Sequence, residues 1–337
     1  MAVTMKDVAE RARVSLTTVS LVLNKPHLRS IPPETCQRVL DAVRALEYHP
    51  NIHARRLASR HSNIMGMIVS EISNPFFADV ILAFERSASE RGLEQILCNT
   101  EYEPARIEAA VQRMIMEKAR GVAVMTSVFD EQYVEELVRN RIHVVLLNPG
   151  PPHPRIRRIQ IDYPSGVAHA VDHLLELGHR MFGVIRGPVQ SRSAVRMGEI
   201  IMGVMASKGV CCSQAVEADY RAEAGASAVR SILSQSPLPT AILCGNDLIA
   251  LGAICALQEV GVRVPEDVSV VGADDVFFAP LARPPLTTIA VPREKLGRMA
   301  LEVLVNIKRS RPRGPEKLTL ETHLVVRKST APPPGKF

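Results

Sequence analysis

The chain has 337 residues, of which 46% are hydrophobic, so it is long enough for two or three domains and too apolar to be intrinsically disordered. No apolar run approaches the roughly 18 residues that cross a bilayer, and the N-terminus carries no apolar signal segment, so we expect a cytoplasmic protein without a membrane partner. The six cysteines are scattered without a CxxC pair, which favours reduced thiols and no metal site.

The formal net charge of +6 is concentrated at the N-terminal end. Residues 1–61 contain ten Lys/Arg and five Asp/Glu, a net charge of +5, and the rest of the chain is nearly neutral. A small basic module on a neutral body indicates a polyanion partner for this segment alone. A solvated basic tail is the alternative, but the regular apolar spacing inside the segment argues against it.

Residues 4–48 are predicted to form three short helices. Thr4 and Ser15 are candidate N-caps for the first two, and a tight turn at Arg13-Val14 separates them. The predicted inward residues are Val8, Ala9 and Ala12 in the first helix, Val19, Val22 and Leu23 in the second, and Val39, Leu40, Val43 and Leu46 in the third. Two helices joined by so short a turn, with a third completing the core, describe a helix-turn-helix unit.

The outer face of the second helix carries small hydroxyls, leucines and an amide in place of the usual Lys and Glu. It is made of Leu16, Thr17, Thr18, Ser20, Leu21 and Asn24. Thr and Ser hydrogen-bond to bases or phosphates, and leucine contacts a thymine methyl. This face is therefore predicted to enter the major groove of DNA.

Residues 50–61 form a basic linker in which Ala54 and Leu57 share one helical face. A helix this short is not stable by itself, so we expect it to become ordered only when something holds it.

From Ile64 onward, short β-rich runs alternate with amphipathic helices. The first series of strands is GMIVSEI, LEQILCN, GVAVMTS, HVVLLN and RIQID, with helices near 76–91, 104–118 and 130–140. The second series is MFGVIRG, TAILCGND and VSVVGADD, with helices near 164–177, 193–208, 223–235 and 247–260. This alternation predicts two lobes, each built on a parallel sheet with helices on both faces. Ligands of such sheets bind at the carboxyl ends of the strands, which here face a cleft.

Six segments, in order and with nearly the expected spacing, resemble the lactose-repressor family of bacterial transcription regulators. They are MKDVAERARVSLTTVSLVLN, ALEYHPNIHARRLA, GMIVSEISNPFFADVI, LELGHRMFGVIRGP, PTAILCGNDLIALGAICALQEVGVRVPEDVSVVGADD and PPLTTIAVP. The resemblance implies an α/β fold with an N-terminal all-α helix-turn-helix head and a two-lobed core like that of periplasmic binding proteins. It also implies a homodimer that binds double-stranded operator DNA and a small-molecule effector, with no catalytic activity and no cofactor.

The resemblance divides the chain into a head (1–49), a hinge helix (50–61), a core (62–330) and a Pro-rich tail (331–337). Lobe 1 would comprise about 62–161 and 293–320, and lobe 2 about 162–290 and 321–330.

For DNA, the resemblance assigns base contacts to Leu16, Thr17 and Leu21. Ser15, Thr18, Ser20 and Asn24 would contact phosphate or fix the helix, and Thr4, Asn51, Ala54 and Arg55 complete the DNA-binding set. Leu57 would insert into the minor groove and kink the duplex; the alternative is a leucine docked on the core. Leu21 departs from the common family arginine and so lacks its bidentate guanine contact. Pro32 replaces a capping serine, for which Pro33 in the first turn can compensate.

For the effector, the resemblance points to Phe76, Phe77, Asn148, Arg196, Tyr220, Asn246 and Asp274. Tyr220 would pack on the apolar face of a sugar, whose hydroxyls Arg196, Asn246 and Asp274 would hydrogen-bond. Two alternatives remain: Arg196 and Asp274 form an ion pair across the lobes, and Phe76 and Phe77 belong to the core. Asp247 is predicted to cap the helix that begins DLIALG.

Three positions depart from the family pattern near the cleft: Arg186 and Ala273 replace a small residue and an aromatic, and Glu199 replaces a glycine. An added arginine suits a carboxylate or phosphate, so the expected effector is a sugar or sugar acid. Two other protein classes fit the sequence less well. The missing signal segment and the basic head argue against a transporter's solute-binding protein. The absence of GxGxxG, P-loop and GxSxG motifs argues against an enzyme.

Overall fold

The computed structural model describes residues 3–24, 31–48, 62–147, 149–151, 153–235, 237–307 and 317–335. The chain separates into two compact units, Met1–Ser62 and Asn63–Phe337. In the described ranges, no helix combines the length and the apolar character needed to cross a bilayer.

The first unit contains three helices: α1 (Met5–Ala12), α2 (Leu16–Asn24) and α3 (Pro33–Ala45). Arg13 adopts the left-handed conformation (φ 52°) that turns the chain from α1 to α2. The Ser15 hydroxyl accepts from the backbone N–H of Thr18 at 3.1 Å, as an N-cap does. Pro33 opens α3 in the first turn, where its missing N–H has no helical partner to lose.

The core of this unit matches the predicted helical faces except at Leu40. Val8, Ala9, Ala12, Val19, Val22 and Val39 are buried, and Leu23, Val43 and Leu46 pack against them. Leu40 is 42% exposed, so its predicted inward position is wrong, and Ala42 packs there instead. Residues 39, 42, 43 and 46 follow the helical period, whereas position 40 is rotated by about 100° from position 39.

The first lobe of the second unit is a six-stranded parallel sheet with the strand order β11-β5-β4-β3-β1-β2. Its elements are β1 (Ile64–Val69), α4 (Pro75–Ser89), β2 (Glu94–Asn99), α5 (Pro104–Met116), β3 (Gly121–Met125), α6 (Glu131–Arg139), β4 (His143–Leu146), β5 (Arg157–Asp162), α11 (Arg293–Asn306) and β11 (Lys317–Glu321). Every residue of β1 is buried, as expected for an inner strand of a parallel sheet covered on both faces.

The second lobe has a similar sheet with the order β12-β10-β9-β8-β6-β7, in which only β12 is antiparallel to its neighbour. Its elements are α7 (Tyr163–Glu176), β6 (Phe182–Arg186), α8 (Arg192–Ser207), β7 (Cys212–Glu217), α9 (Ala222–Leu233), β8 (Ala241–Cys244), α10 (Asp247–Glu259), β9 (Ser269–Asp274), β10 (Thr287–Ala290) and β12 (His323–Val325). After β12 the chain stays on this lobe, because His179 donates to the carbonyl of Ala331 at 2.8 Å.

The predicted fold class, a helix-turn-helix head and a two-lobed α/β core, is confirmed. Strands β7, β10, β11 and β12 and helix α11 were not predicted as elements. Strand β7 shows the reason: it lies at a sheet edge and buries only Gln214, so its sequence lacks an apolar run.

The chain crosses between the lobes three times, after β5, after β10 and after β11. The Thr322 hydroxyl donates to the carbonyl of Asp162 at 2.7 Å and so joins two of these crossings. The carboxyl ends of both sheets therefore face a common cleft, and the three crossing segments form the hinge between the lobes.

Candidate functional site

The predicted DNA-reading face is presented by α2. Leu16 is 49% exposed and Thr17 is also exposed, whereas Ser20 and Leu21 are half-buried. The hydroxyls of Ser15 and Thr18 lie 2.9 Å apart and hold the start of the helix. Apolar and hydroxyl groups are side-chain types that can contact base edges, and this face presents both at the first turn of the helix.

Thr4 is engaged at the start of α1. The Asp7 carboxylate accepts from its backbone N–H at 2.7 Å and from its hydroxyl at 2.8 Å, which lowers the pKa of Asp7. Some predicted contacts lie outside the described residues. For DNA these are Asn51, Ala54, Arg55, Leu57 and the side chain of Asn24, and for the effector it is Asn148.

A cavity of about 430 Å³ opens between the two lobes of the second unit. Six of the predicted effector residues line it: Phe76, Phe77, Arg196, Tyr220, Asn246 and Asp274. The cavity thus lies where the strands of both sheets end, as expected for an open parallel sheet.

Phe76 and Phe77 serve the core and the cavity wall together. Both are buried in the first lobe's core, with ring centroids 5.5 Å apart in an edge-to-face arrangement. Asn74 positions them, because its side chain accepts from the backbone N–H of Phe76 at 3.0 Å and caps α4. The two alternatives considered for this pair therefore do not exclude each other.

Asn246, and not Asp247, caps α10. The Asn246 side chain accepts from the backbone N–H of Ile249 at 2.9 Å, so the predicted cap at Asp247 is wrong. The extended backbone of Asn246 places it just before the first turn, where a cap must stand. Asp247 is fully buried and accepts from Val276 N–H at 2.8 Å and from the Thr288 hydroxyl. Burial raises the pKa of Asp247 to about 7.

Asp274 ends β9 with a strained backbone (φ 111°) and is only 7% exposed. Burial, followed by the nearby Asp247, raises the pKa of Asp274 well above its usual range, although the Arg293 guanidinium lowers it. Arg293 donates to the backbone carbonyl of Asp274 and to the Asp79 carboxylate, the latter at 2.8 Å. The raised pKa favours the protonated form of Asp274, and a protonated carboxyl can both donate a hydrogen bond to a ligand and accept one.

Arg196 and Asp274 both belong to the second lobe, so the ion pair across the lobes that was considered for them does not form. Within the described ranges, no ion pair or hydrogen bond involves the Arg196 guanidinium, which is exposed at the cavity wall. Arg186 is exposed and does not line the cavity, and Ala273 is buried in β9. Arg186, which ends β6, is therefore not among the cavity residues, contrary to the expectation that it binds the ligand.

The ring of Tyr220 rests on Gly187. A Cβ atom at position 187 would lie 2.6 Å from the ring carbon Cζ, so only glycine allows this close approach. Burial raises the pKa of the Tyr220 hydroxyl.

Several lining residues were missed by sequence reasoning, among them Tyr102, Ser127, Arg158, Tyr163, Ser191 and Ser193. Tyr102 follows β2 by three residues, and Ser127 follows β3 by two. Ligands of parallel sheets bind beyond the carboxyl ends of the strands, so these positions were the signal that could have identified both residues. Glu101 and Tyr102 both have positive φ angles, 50° and 62°, an arrangement typical of functional turns. Burial raises the pKa of Tyr102 to about 12.

Arg158 fixes the loop beside the cavity. Its guanidinium donates to the carbonyl of Gly150 at 2.8 Å and to that of Pro151. The positive charge of Arg158 is thus committed to backbone carbonyls, which leaves Arg196 as the cation best placed for a ligand.

The described wall of the cavity contains aromatic rings, hydroxyls, amides, the carboxyls of Asp162 and Asp274 and the guanidiniums of Arg158 and Arg196, but neither histidine nor cysteine. In the described part of the chain, no group of three or more His, Cys, Asp or Glu residues is placed to hold a metal ion.

Comparison with known proteins gave matches over nearly the whole chain. The model of the family "Bacterial regulatory proteins, lacI family" matches residues 4–51, and that of the "Periplasmic binding protein-like domain" matches residues 171–330. The HTH-type transcriptional repressor PurR of Edwardsiella ictaluri (strain 93-146) is 37% identical over 335 residues, 98% of both chains. PurR of Escherichia coli O1:K1 / APEC is 34% identical over the same share of both chains.

Two solved structures are also similar. The lac repressor dimer bound to operator and the anti-inducer ONPF has a TM-score of 0.88 and 28% identity, covering 98% of this chain and 100% of that one. The complex of the transcriptional regulator CelR with cellobiose has a TM-score of 0.72 and 29% identity, covering 97% and 99%.

Proposed function

The chain belongs to the lacI family of bacterial regulatory proteins, and from that premise we propose that a small polar ligand in the cleft controls how tightly the head binds operator DNA. The protein is a DNA-binding transcriptional repressor and not an enzyme, as its relatives are. The predicted DNA contacts on α2 support operator recognition through Leu16 and Thr17, the two residues of that face that are most accessible.

The repressor is proposed to act as a homodimer, the state named for the similar lac repressor structure. Phe277, Phe278 and Leu281 support this, because they form an exposed apolar patch on the second lobe. Large exposed aromatic groups close together mark protein interaction sites.

The cavity lined by Tyr220, Asn246, Arg196 and Asp274 is the observation that carries the effector proposal. Its volume lies within the range of small-molecule sites. An aromatic wall beside a carboxyl, an amide and a guanidinium suits a sugar ring, which has apolar faces and a rim of hydroxyls.

We favour a sugar or sugar acid as the ligand. The CelR structure, of similar fold, holds cellobiose. Arg196 lines the cavity and has no partner among the described residues, so it can pair with a carboxylate of the ligand, which supports an acidic sugar. A planar nitrogen heterocycle is the second candidate, because the same aromatic wall can stack on it.

Tyrosine emission offers a direct assay. The chain has no tryptophan and five tyrosines, and three of these, Tyr102, Tyr163 and Tyr220, line the cavity. We expect a bound ligand to change the emission, and calorimetry with neutral sugars, uronic acids and nitrogen heterocycles then gives the affinities. If only heterocycles bind, the sugar assignment is wrong.

Two arginine variants identify the site. Arg196→Met should weaken an acidic ligand at least tenfold, whereas Arg186→Met, which removes an arginine outside the cavity wall, should leave its affinity unchanged. Equal losses in both variants would contradict the assignment of the cavity.

Operator binding is tested by selecting bound sequences from a random duplex pool. A homodimer should select an inverted repeat, since two-fold protein symmetry is mirrored in the DNA site. Binding should weaken steeply as salt rises, because phosphate contacts release counterions. Selection of a single unrepeated half-site would contradict the dimer.

A further inference from the structure

We propose that Ser191 is a positioning residue of the ligand cleft: its hydroxyl bonds to Ser127 of the opposite lobe at the cavity wall and so couples ligand binding to lobe closure. This regulation rests on the proposed function, because it presupposes a ligand that binds between the lobes.

The first observation is a buried hydrogen bond across the cleft. The Ser191 hydroxyl donates to the Ser127 hydroxyl at 3.0 Å, and the two residues are 3% and 2% exposed. Ser127 follows β3 of the first lobe, and Ser191 stands directly before α8 of the second. Opening the cleft must break this bond, because the two residues belong to different lobes.

The second observation is that Ser191 is also held in place within its own lobe. Its oxygen accepts from the backbone N–H of Ala194 at 3.3 Å, which caps α8. Both Ser191 and Ser127 line the cavity, so the bridge forms part of the wall that a ligand between the lobes would contact.

The neighbouring cross-lobe contacts are less specific. Arg192 pairs with Asp130 at 2.7 Å, and Arg221 pairs with Glu71 at 3.4 Å. Arg192 and Asp130 are both about half exposed, and water weakens such pairs. The buried Ser127–Ser191 bridge has the fixed geometry that the ion pairs lack, because each hydroxyl loses its partner when the other leaves.

The bridge should favour the closed arrangement of the lobes. A net hydrogen bond of the usual strength corresponds to a change of roughly threefold to tenfold in a closed-to-open ratio. A ligand that contacts both lobes binds the closed arrangement, so loss of the bridge should lower its affinity by a similar factor.

The experiment measures lobe closure in the full-length protein without ligand. Single-molecule energy transfer is recorded between dyes on Met116→Cys of the first lobe and Leu238→Cys of the second, both exposed positions outside the cavity, with the exposed Cys211 and Cys255 replaced by serine. Dimers are formed with excess unlabelled protein so that only one subunit carries dyes.

We expect a closed population that falls roughly threefold to tenfold relative to the open one in Ser127→Ala. Ser191→Ala also loses the cap of α8, so Ser191→Thr serves as its hydroxyl-keeping control and should restore closure. The double variant Ser127→Ala with Ser191→Ala should differ little from Ser191→Ala, because Ser191→Ala alone already removes the Ser127–Ser191 hydrogen bond. Ser213→Ala is the matched control, since the Ser213 hydroxyl donates to the Phe182 carbonyl within one lobe, at 2.9 Å.

An unchanged distribution in Ser127→Ala, additive losses in the double variant, or a wild-type protein without a closed population would each overturn the proposal. All of these outcomes are read without ligand or DNA. They therefore do not test the proposed function, which the ligand and operator titrations test separately. Failure to find a ligand would not change the measured lobe distribution.

Discussion

Replacing Gly252 by alanine should disturb both the stability of the second lobe and the ligand wall. Helices α9 and α10 cross closely through two glycines: a Cβ at Gly252 would lie 1.8 Å from the carbonyl oxygen of Ala222, and one at Gly225 would lie 2.2 Å from that of Ile249. Both obstacles are backbone atoms, so no side-chain rotation relieves them.

The size of the effect follows from this geometry. To reach the 3.0 Å below which Cβ contacts essentially never occur, the helices must separate by about 1 Å, which is overpacking of a kind that costs about 3 kcal/mol. The better helix propensity of alanine offsets at most about 1 kcal/mol of that loss. Because α9 begins two residues after Tyr220 and α10 begins directly after Asn246, the same shift displaces two cavity residues relative to each other.

Gly203→Ala is the matched control. Gly203 lies inside α8 with nothing within 4 Å of an added Cβ, so the same substitution should stabilise the protein by about 0.5–1 kcal/mol. Urea unfolding followed by far-ultraviolet circular dichroism measures both, and ligand titration measures the wall. If Gly252→Ala were as stable as wild type with unchanged ligand affinity, the argument from backbone contact would be refuted.

Three further changes test the head, the buried carboxyl and the dimer. Leu16→Ala should weaken binding to the selected operator roughly tenfold without unfolding the head. Leu40 is similarly exposed but lies on α3, so Leu40→Ala should leave operator affinity unchanged. Equal losses of affinity in a mobility-shift titration would contradict a special role of α2. Folding raises the pKa of Asp247 to about 7, so between pH 4 and 7 the folded chain keeps a proton that the unfolded chain releases, and stability falls as pH rises through that window. Asp247→Asn should remove about 3 kcal/mol of this fall between pH 4.5 and pH 7.5, measured by urea unfolding, and parallel pH profiles would contradict the buried carboxyl. Phe277→Ser combined with Phe278→Ser should produce monomers in analytical ultracentrifugation, and a dimer of unchanged strength would place the interface elsewhere.

The match between predicted and observed elements is closest where the periodicity is strongest. The predicted helix MKDVAERA has the bounds of α1, and the apolar run of β1 is buried throughout. Leu40 shows the limit of such reasoning. It is apolar and adjacent in sequence to the buried Val39, so it was predicted to face inward, whereas its side chain is exposed. The edge strand β7 escaped prediction for the opposite reason, since it buries too little to carry a pattern.

The residue set of the cleft could be reached only in part. The resemblance supplied six side chains that do line the cavity, but the opposing side chains Tyr102 and Ser127 had no motif to mark them. Arg186 illustrates the same limit, because its position in the chain suggested the cleft whereas its side chain is exposed elsewhere.

The sequence by itself determined the helix-turn-helix head, the alternation of strands and helices and the inward faces of the elements. The buried face of a helix or strand follows from the spacing of apolar residues that are only a few positions apart. Tertiary structure alone decided that Ser127 meets Ser191, 64 residues later, and that the pKa of Asp247 is raised by burial. Which loops meet across a cleft depends on how distant elements pack, and no local spacing encodes that packing.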